Sequence, residues 1–237
     1  MNGEQEQLTK KQRKEIHRQE RREEAESVRR KGRMTKILVW TGIGIAVVAV
    51  VWIVVQGGDT TPVVPDNDPF TGGENASVVI TEYSDFQCPA CKATQPVVKQ
   101  VRDTYGDQVK LVFANFPLTI HPNSDEAAWA GECAFDQGKF WEYHDKLFDE
   151  QENWANLSDP QDAFMTYARD LGIDEAGFSA CYDGEEARGR VEYDLQEGNA
   201  ARINSTPTFV INGQRVSGAQ PFDKFKEIID AELAKAQ

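Results

Sequence analysis

Between Lys36 and Asp59 the chain runs for 22 residues without a charge, with an apolar centre from Ile37 to Val55 broken only by Thr41, Gly42 and Gly44. At about 1.5 Å per residue, such a run crosses a hydrocarbon layer of roughly 30 Å as one helix. The alternatives are a buried soluble helix or a cleaved leader. A leader's apolar stretch is usually shorter and ends at a small-residue cleavage site, whereas this one continues as Val54-Val55-Gln56-Gly57-Gly58-Asp59. Residues 37–56 are therefore predicted to be a transmembrane helix serving as an uncleaved signal anchor. Trp40 and Trp52 lie near its two ends, where indole rings favour membrane interfaces. Arg29, Arg30, Lys31, Arg33 and Lys36 precede it, and no Lys or Arg follows until Lys92. The excess of positive charge on the first side predicts a single-pass protein of the cell membrane, with a cytoplasmic N-terminus and everything after residue 57 extracytoplasmic.

Charge divides along the same line. Residues 1–36 hold 12 Lys+Arg against 7 Asp+Glu and almost no aliphatic side chains, so this tail cannot bury enough surface to fold alone. From residue 57 onward the count is 14 against 32, a net charge of −18. Such an acidic domain without a basic stripe excludes nucleic acid as a partner, because phosphate backbones are bound by clustered cations. Residues 57–76, with Gly57-Gly58-Asp59-Thr60-Thr61-Pro62-Val63-Val64-Pro65 at their start, are punctuated by Pro and Gly and carry no hydrophobic period, so they read as a linker. That leaves 77–237 for one folded domain.

This domain opens with a β-branched run, Val78-Val79-Ile80-Thr81-Glu82-Tyr83, which predicts a strand. A helix is expected from the following Cys88-Pro89-Ala90-Cys91 to about Tyr105, with Val97, Val98 and Val101 on one apolar face. Val109-Lys110-Leu111-Val112-Phe113-Ala114 supplies a second strand, parallel to the first across the helix. A helical block follows over about 120–202, with Phe140, Tyr143, Leu147 and Phe148 sharing a side. The chain then returns to strand at Thr208-Phe209-Val210-Ile211, turns at Asn212-Gly213, offers a short strand near Val216, and ends in a helix carrying Phe222, Phe225, Ile228, Ile229 and Leu233.

Two cysteines separated by two residues at a helix start can close a small disulfide, and the unpaired amides there stabilise the thiolate that exchanges disulfides. Pro89 fits the first turn, where its missing N–H has no partner to lose. Half a zinc site has the same spacing. Zinc would need two more ligands, but Cys133 and Cys181 are 48 residues apart and neither His121 nor His144 sits at zinc-finger spacing.

Taken together, the Cys-Pro-x-Cys helix, the helical block, Ser205-Thr206-Pro207-Thr208-Phe209-Val210 and Asn212-Gly213 resemble the thioredoxin superfamily. Within it, Tyr83-Ser84-Asp85-Phe86-Gln87-Cys88-Pro89-Ala90-Cys91 and the long helical insertion are similar to the DsbA family, above all its membrane-anchored BdbD-type members. The resemblance implies an α/β thioredoxin-like fold with a helical insertion and the activity of a protein thiol-disulfide oxidoreductase. It further implies that Cys88 is the exposed nucleophile and Cys91 the more buried resolving thiol. Pro207 would follow a cis peptide bond that sets the Thr206 backbone beside Cys88, and Glu82 would be a buried acid serving Cys91.

His121 and His144 are expected to be hydrogen-bonded loop and helix residues rather than catalytic bases. DsbA itself carries His as the second intervening residue where this chain has Ala90, a departure that weighs against strong thiolate stabilisation. In an oxidising compartment the even cysteine count implies a second, structural disulfide, Cys133–Cys181. The expected partners are exported cysteine-containing proteins and a quinone-linked membrane thiol oxidase of the DsbB or VKOR type. No cofactor or metal is expected, since the disulfide carries the electrons. A reductase or isomerase on the same fold, or a non-catalytic anchored binding module, are the alternative functions.

Overall fold

The computed structural model describes residues 68–236. The predicted tail at 1–36, the predicted membrane span at 37–56 and the first part of the predicted linker lie outside the described residues. Among the described residues no helix is long and apolar enough to cross a membrane.

A five-stranded sheet organises the domain, in the order β1-β3-β2-β4-β5. Its strands are β1 (Phe70–Gly72), β2 (Val78–Ser84), β3 (Val109–Asn115), β4 (Thr208–Ile211) and β5 (Gln214–Ser217). The central strand β2 runs parallel to β3 and antiparallel to β4, and is buried along nearly its whole length. A strand covered on both faces needs apolar residues at consecutive positions, which is why Val78-Val79-Ile80 reads as a run rather than an alternation. The crossover from β2 to β3 is helix α1 (Pro89–Tyr105), which ends at Gly106 with φ of 50°.

Residues 70–72 depart from the linker reading. They form the edge strand β1, antiparallel to β3 with Phe70 opposite Val112, and the indole of Trp141 donates to the Phe70 carbonyl at 2.9 Å. Three residues are too few to show a period, so this strand exists only through its tertiary partners. Gly72 is required there: its φ is +89°, and a Cβ would stand 2.1 Å from the Val109 carbonyl oxygen.

The insertion between β3 and β4 consists of α2 (Ser124–Phe135), α3 (Phe140–Asp149), α4 (Gln151–Trp154), α5 (Gln161–Asp170), α6 (Glu175–Asp183) and α7 (Glu186–Ala200). Its core, which includes Tyr143, Leu147, Trp154, Phe164 and Phe178, continues onto Phe86 and Phe113 at the sheet. The sheet carries a second cluster. There Val78 and Ile80 of β2 pack with Val98 and Val101 of α1 and with Phe225, Ile228 and Ile229 of the last helix, α8 (Phe222–Lys235). Buried polar bonds also tie insertion to sheet: Asn115 at the end of β3 donates to Glu132 at 2.8 Å and to Asp194 at 3.0 Å, and Arg190 clasps Glu132 at 2.7 Å.

Helix α7 meets the sheet at Gly198, where an added Cβ would come within 2.6 Å of the Phe116 ring. Alanine at a helical glycine ordinarily gains about 1 kcal/mol, yet overpacking here costs about 1–3 kcal/mol. Gly198→Ala is therefore expected to lower the urea midpoint. A raised midpoint would show that α7 does not seat on Phe116.

Candidate active site

Strand β2 ends at Ser84, and the turn Asp85-Phe86-Gln87 delivers the chain to Cys88, the N-cap of α1. The turn is fixed by its own aspartate. Asp85 Oδ1 accepts the Gln87 amide at 2.7 Å and its carbonyl accepts the Cys88 amide at 3.0 Å. The other carboxylate oxygen accepts the Leu118 amide at 3.0 Å and lies 2.6 Å from Nδ1 of His121. Insertion residues hold the same turn from the far side. Gln151 donates to the carbonyls of Phe86 (2.6 Å) and Cys88 (3.2 Å). Gln87 donates to the Ala155 carbonyl at 2.6 Å and accepts the Asn123 amide at 2.7 Å.

Cys88 and Cys91 stand in this frame as free thiols, 6% and 0% exposed. Cys88, expected to be the exposed nucleophile, is therefore nearly closed rather than open, because the insertion and the 205–208 segment crowd it; it remains the more accessible of the two. Cys88 Sγ lies 3.7 Å from the carbonyl oxygen of Thr206, and the Thr206–Pro207 peptide bond is cis. A hydrogen bond from the Cys91 thiol, working against burial, lowers the Cys88 pKa to about 5, and the Thr206 side chain with the amides of Ala90 and Cys91 adds to the effect. Burial and the adjacent Cys88 sulfur push Cys91 far above the ordinary thiol value. Ala90 brings no imidazole; what favours the Cys88 thiolate is chiefly the Cys91 thiol, with the amides at the start of α1.

Glu82 is 0% exposed, on the α1 side of the sheet. Its neighbours in register are Phe113 on β3 and Phe209 on β4, so its carboxyl is enclosed by two rings in the same row. Burial raises its pKa to about 7, opposed by Ser84 and Gln95. Gln95, on α1, donates to Glu82 Oε1 and to the Cys91 carbonyl, both at 3.3 Å. Glu82 and Cys91 thus share one amide partner.

The remaining candidates lie apart. Cys133 of α2 and Cys181 of α6 are bonded, S–S 1.99 Å, within the insertion, so neither completes a metal set with Cys88 and Cys91. His144 is buried in an aromatic box with Phe86, Phe113, Phe140, Trp141 and Phe148 and bonds Asp145 at 2.8 Å. His121 belongs to the turn through Asp85. The sequence reading missed Asp85, Gln87, Gln95, Asn123 and Gln151 as site residues. A polar side chain gives no sign of its burial until its partners, up to 68 residues away, are folded against it.

The model of the thioredoxin family matches residues 65–231. The chain belongs to the thioredoxin family. Its fold is of the DsbA-like branch of that family. BdbD from Bacillus subtilis in its oxidised form superposes with a TM-score of 0.62 at 26% identity, covering 71% of this chain and 94% of that one. The α-DsbA1 protein of Wolbachia pipientis shares the fold with a TM-score of 0.65 at 22% identity, over 73% of this chain and 94% of that one. By sequence, the chain is 33% identical over 177 residues to the Na(+)/H(+) antiporter NhaA 3 of Salinispora tropica, over 74% of this chain but only 26% of that protein. The chain thus spans about a quarter of the length of such curated relatives.

The enclosure of Glu82 has a measurable consequence. The folded carboxyl keeps its proton up to about pH 7, while the unfolded one releases it near 4.5. The folded state therefore binds more protons in that window, and this contribution to stability is lost as pH rises through it, by roughly 3 kcal/mol in all. Glu82→Gln is expected to match the wild type in urea unfolding at about pH 4 and to exceed it at about pH 8. An equal difference at both pH values would mean that Glu82 does not titrate in the fold.

Proposed function

We propose that the chain is an extracytoplasmic thiol-disulfide oxidoreductase that donates the Cys88–Cys91 disulfide to exported proteins. The observation that carries this reading is the unequal placing of the two sulfurs: Cys88 caps α1 beside the Thr206 carbonyl and the cis Thr206–Pro207 bond, while Cys91, one turn in, is fully buried, so that the thiolate is favoured at the first and disfavoured at the second. Stabilising the Cys88 thiolate stabilises the reduced pair, and a disulfide whose reduced form is stabilised is a better oxidant. The direction of transfer follows: substrate thiolate attacks Cys88, Cys91 leaves, and a second substrate thiol resolves the mixed disulfide.

The carbonyl of Thr206 beside Cys88 offers a backbone acceptor for an extended substrate chain, which supports an unfolded polypeptide as partner. The uncharged run at 37–56 and the cations before it support anchoring with this domain outside the cytoplasm. Reoxidation by a quinone-linked membrane thiol oxidase fits that placement.

The roles of the two cysteines are separable. Cys91→Ala removes the resolving thiol, so disulfide-linked complexes between Cys88 and exported cysteine-containing proteins are expected to accumulate and to vanish on reduction. Cys88→Ala is expected to trap at least about tenfold less, since exchange rates track the thiolate and its access. Equal trapping by the two variants would overturn the assignment, and no trapping by either would remove the activity.

A further inference from the structure

One side of α1 is left open by the rest of the domain. Between α1 and α3 lies a groove of about 590 Å³, within the size range of ligand sites and floored by Pro96, Val98 and Phe148. Its near end adjoins the redox centre. There the Lys92 amide bonds the Cys88 carbonyl at 3.2 Å, and the Lys92 ammonium lies 3.4 Å from Glu152, next to the Gln151 that holds the same carbonyl. Its far end is Arg102, about 15 Å further along the helix.

Arg102 is prepared for an anion. Its guanidinium lies 4.6 Å from the centre of the Trp141 ring, and that ring is itself fixed, its N–H bonded to the Phe70 carbonyl at 2.9 Å and its side met edge-on by Phe140 at 5.2 Å. A guanidinium held against an indole loses little freedom on forming a two-pronged bond to a carboxylate. Among the described residues it makes no hydrogen bond and no ion pair. The charges nearest to it are engaged elsewhere: Lys99 holds Asp103 at 2.7 Å, and Asp145 bonds Nδ1 of His144 at 2.8 Å. Asp149, the remaining carboxylate of the groove, belongs to the last turn of α3, nearer the redox end. The acidic surface elsewhere repels a carboxylate, which confines it to this place.

We infer that this groove is a subsite for the client polypeptide beyond its reacting cysteine, and that Arg102 selects an acidic side chain there. The inference rests on the thiol-exchange reading above and adds a specificity to it. Geometry sets the spacing: Arg102 stands about 21 Å along the helix from Cys88, which an extended chain covers in about six residues. On the way, Pro96 offers no N–H to the Lys92 carbonyl, so an acceptor without its helical partner is open to a client amide. The floor takes an apolar side chain.

The test uses the full-length Cys91→Ala chain and single-cysteine peptides carrying thionitrobenzoate as a disulfide. The Cys88 thiolate bonds to the peptide sulfur, the peptide–thionitrobenzoate bond breaks, and the coloured thiolate that leaves reports the rate. Each glutamate peptide is compared with its glutamine counterpart on the same protein. Glutamate six residues from the cysteine, tried on both sides in turn, is expected to react about fivefold faster on one of them, the upper end of what an exposed ion pair gives, and glutamate two residues away to gain nothing. Arg102→Gln is expected to remove the preference, and Arg102→Glu to transfer it to lysine. On the unaltered groove the preference should fade at about 1 M salt, where charges are screened beyond about 3 Å. Equal rates at every position, a preference untouched by Arg102→Gln, or one that persists in high salt would each overturn the subsite. Binding separates the two readings, because cysteine-free peptides bound to the Cys88→Ala chain should show the same glutamate preference. A chain that reacts with all peptides alike keeps the activity and loses the subsite; one that binds the glutamate peptide in preference but reacts with none keeps the subsite and loses the activity.

Discussion

Everything at this site depends on where helix α1 begins. Its first amides have no carbonyl to bond, and the chain places a sulfur rather than a hydroxyl or carboxylate at the cap, with Pro89 immediately after it. The unpaired dipoles of Ala90 and Cys91 then act on Cys88 alone, while Cys91, one turn in, is surrounded by side chains. Two chemically identical thiols become unequal by position. Shifting the helix start by one residue would give that favoured place to another atom, so the frame that fixes the cap matters as much as the cysteines.

That frame is built largely from amides and one carboxylate. Asp85 closes the turn within itself and reaches across to Leu118 and His121, while Gln87, Asn123 and Gln151 join it to the insertion. Each of these groups is satisfied by a specific partner, and a buried polar group that loses its partner costs about 1–3 kcal/mol. The network thus resists alternative arrangements of the turn, which packing of Phe86 on Phe113 and Phe148 alone would permit. The insertion is in this sense part of the active site, although Cys133 and Cys181, its own cysteines, are occupied in holding its helices together.

The large elements were legible because each left a local mark. β2, β3 and β4 show as apolar runs, α1 and α8 as faces of 3.6-residue period, and the Asn212-Gly213 turn as a dipeptide tolerant of positive φ. The Cys88–Cys91 pair was visible as a motif at a helix start, but its spacing alone is shared with half a zinc site. β1 was not, since Phe70-Thr71-Gly72 owes its conformation to Val109, Lys110 and Trp141, which are distant in sequence. Glu82 stood inside a strand pattern, but its environment depends on the register that brings Phe113 and Phe209 beside it. The expectation drawn from Ala90, weak thiolate stabilisation, considered only the motif and left out the Cys91 thiol and the first amides of α1, whose effect on Cys88 depends on the folded cap.

The inequality of the two thiols is the claim on which the rest stands, and it is open to direct titration. The reduced protein can be followed by thiolate absorbance across pH, with alkylation and peptide mapping to assign each step to a residue. The account expects Cys88 to ionise near pH 5 and Cys91 to remain a thiol well beyond the ordinary value of 9.0. Both cysteines ionising together near 9.0 would contradict it.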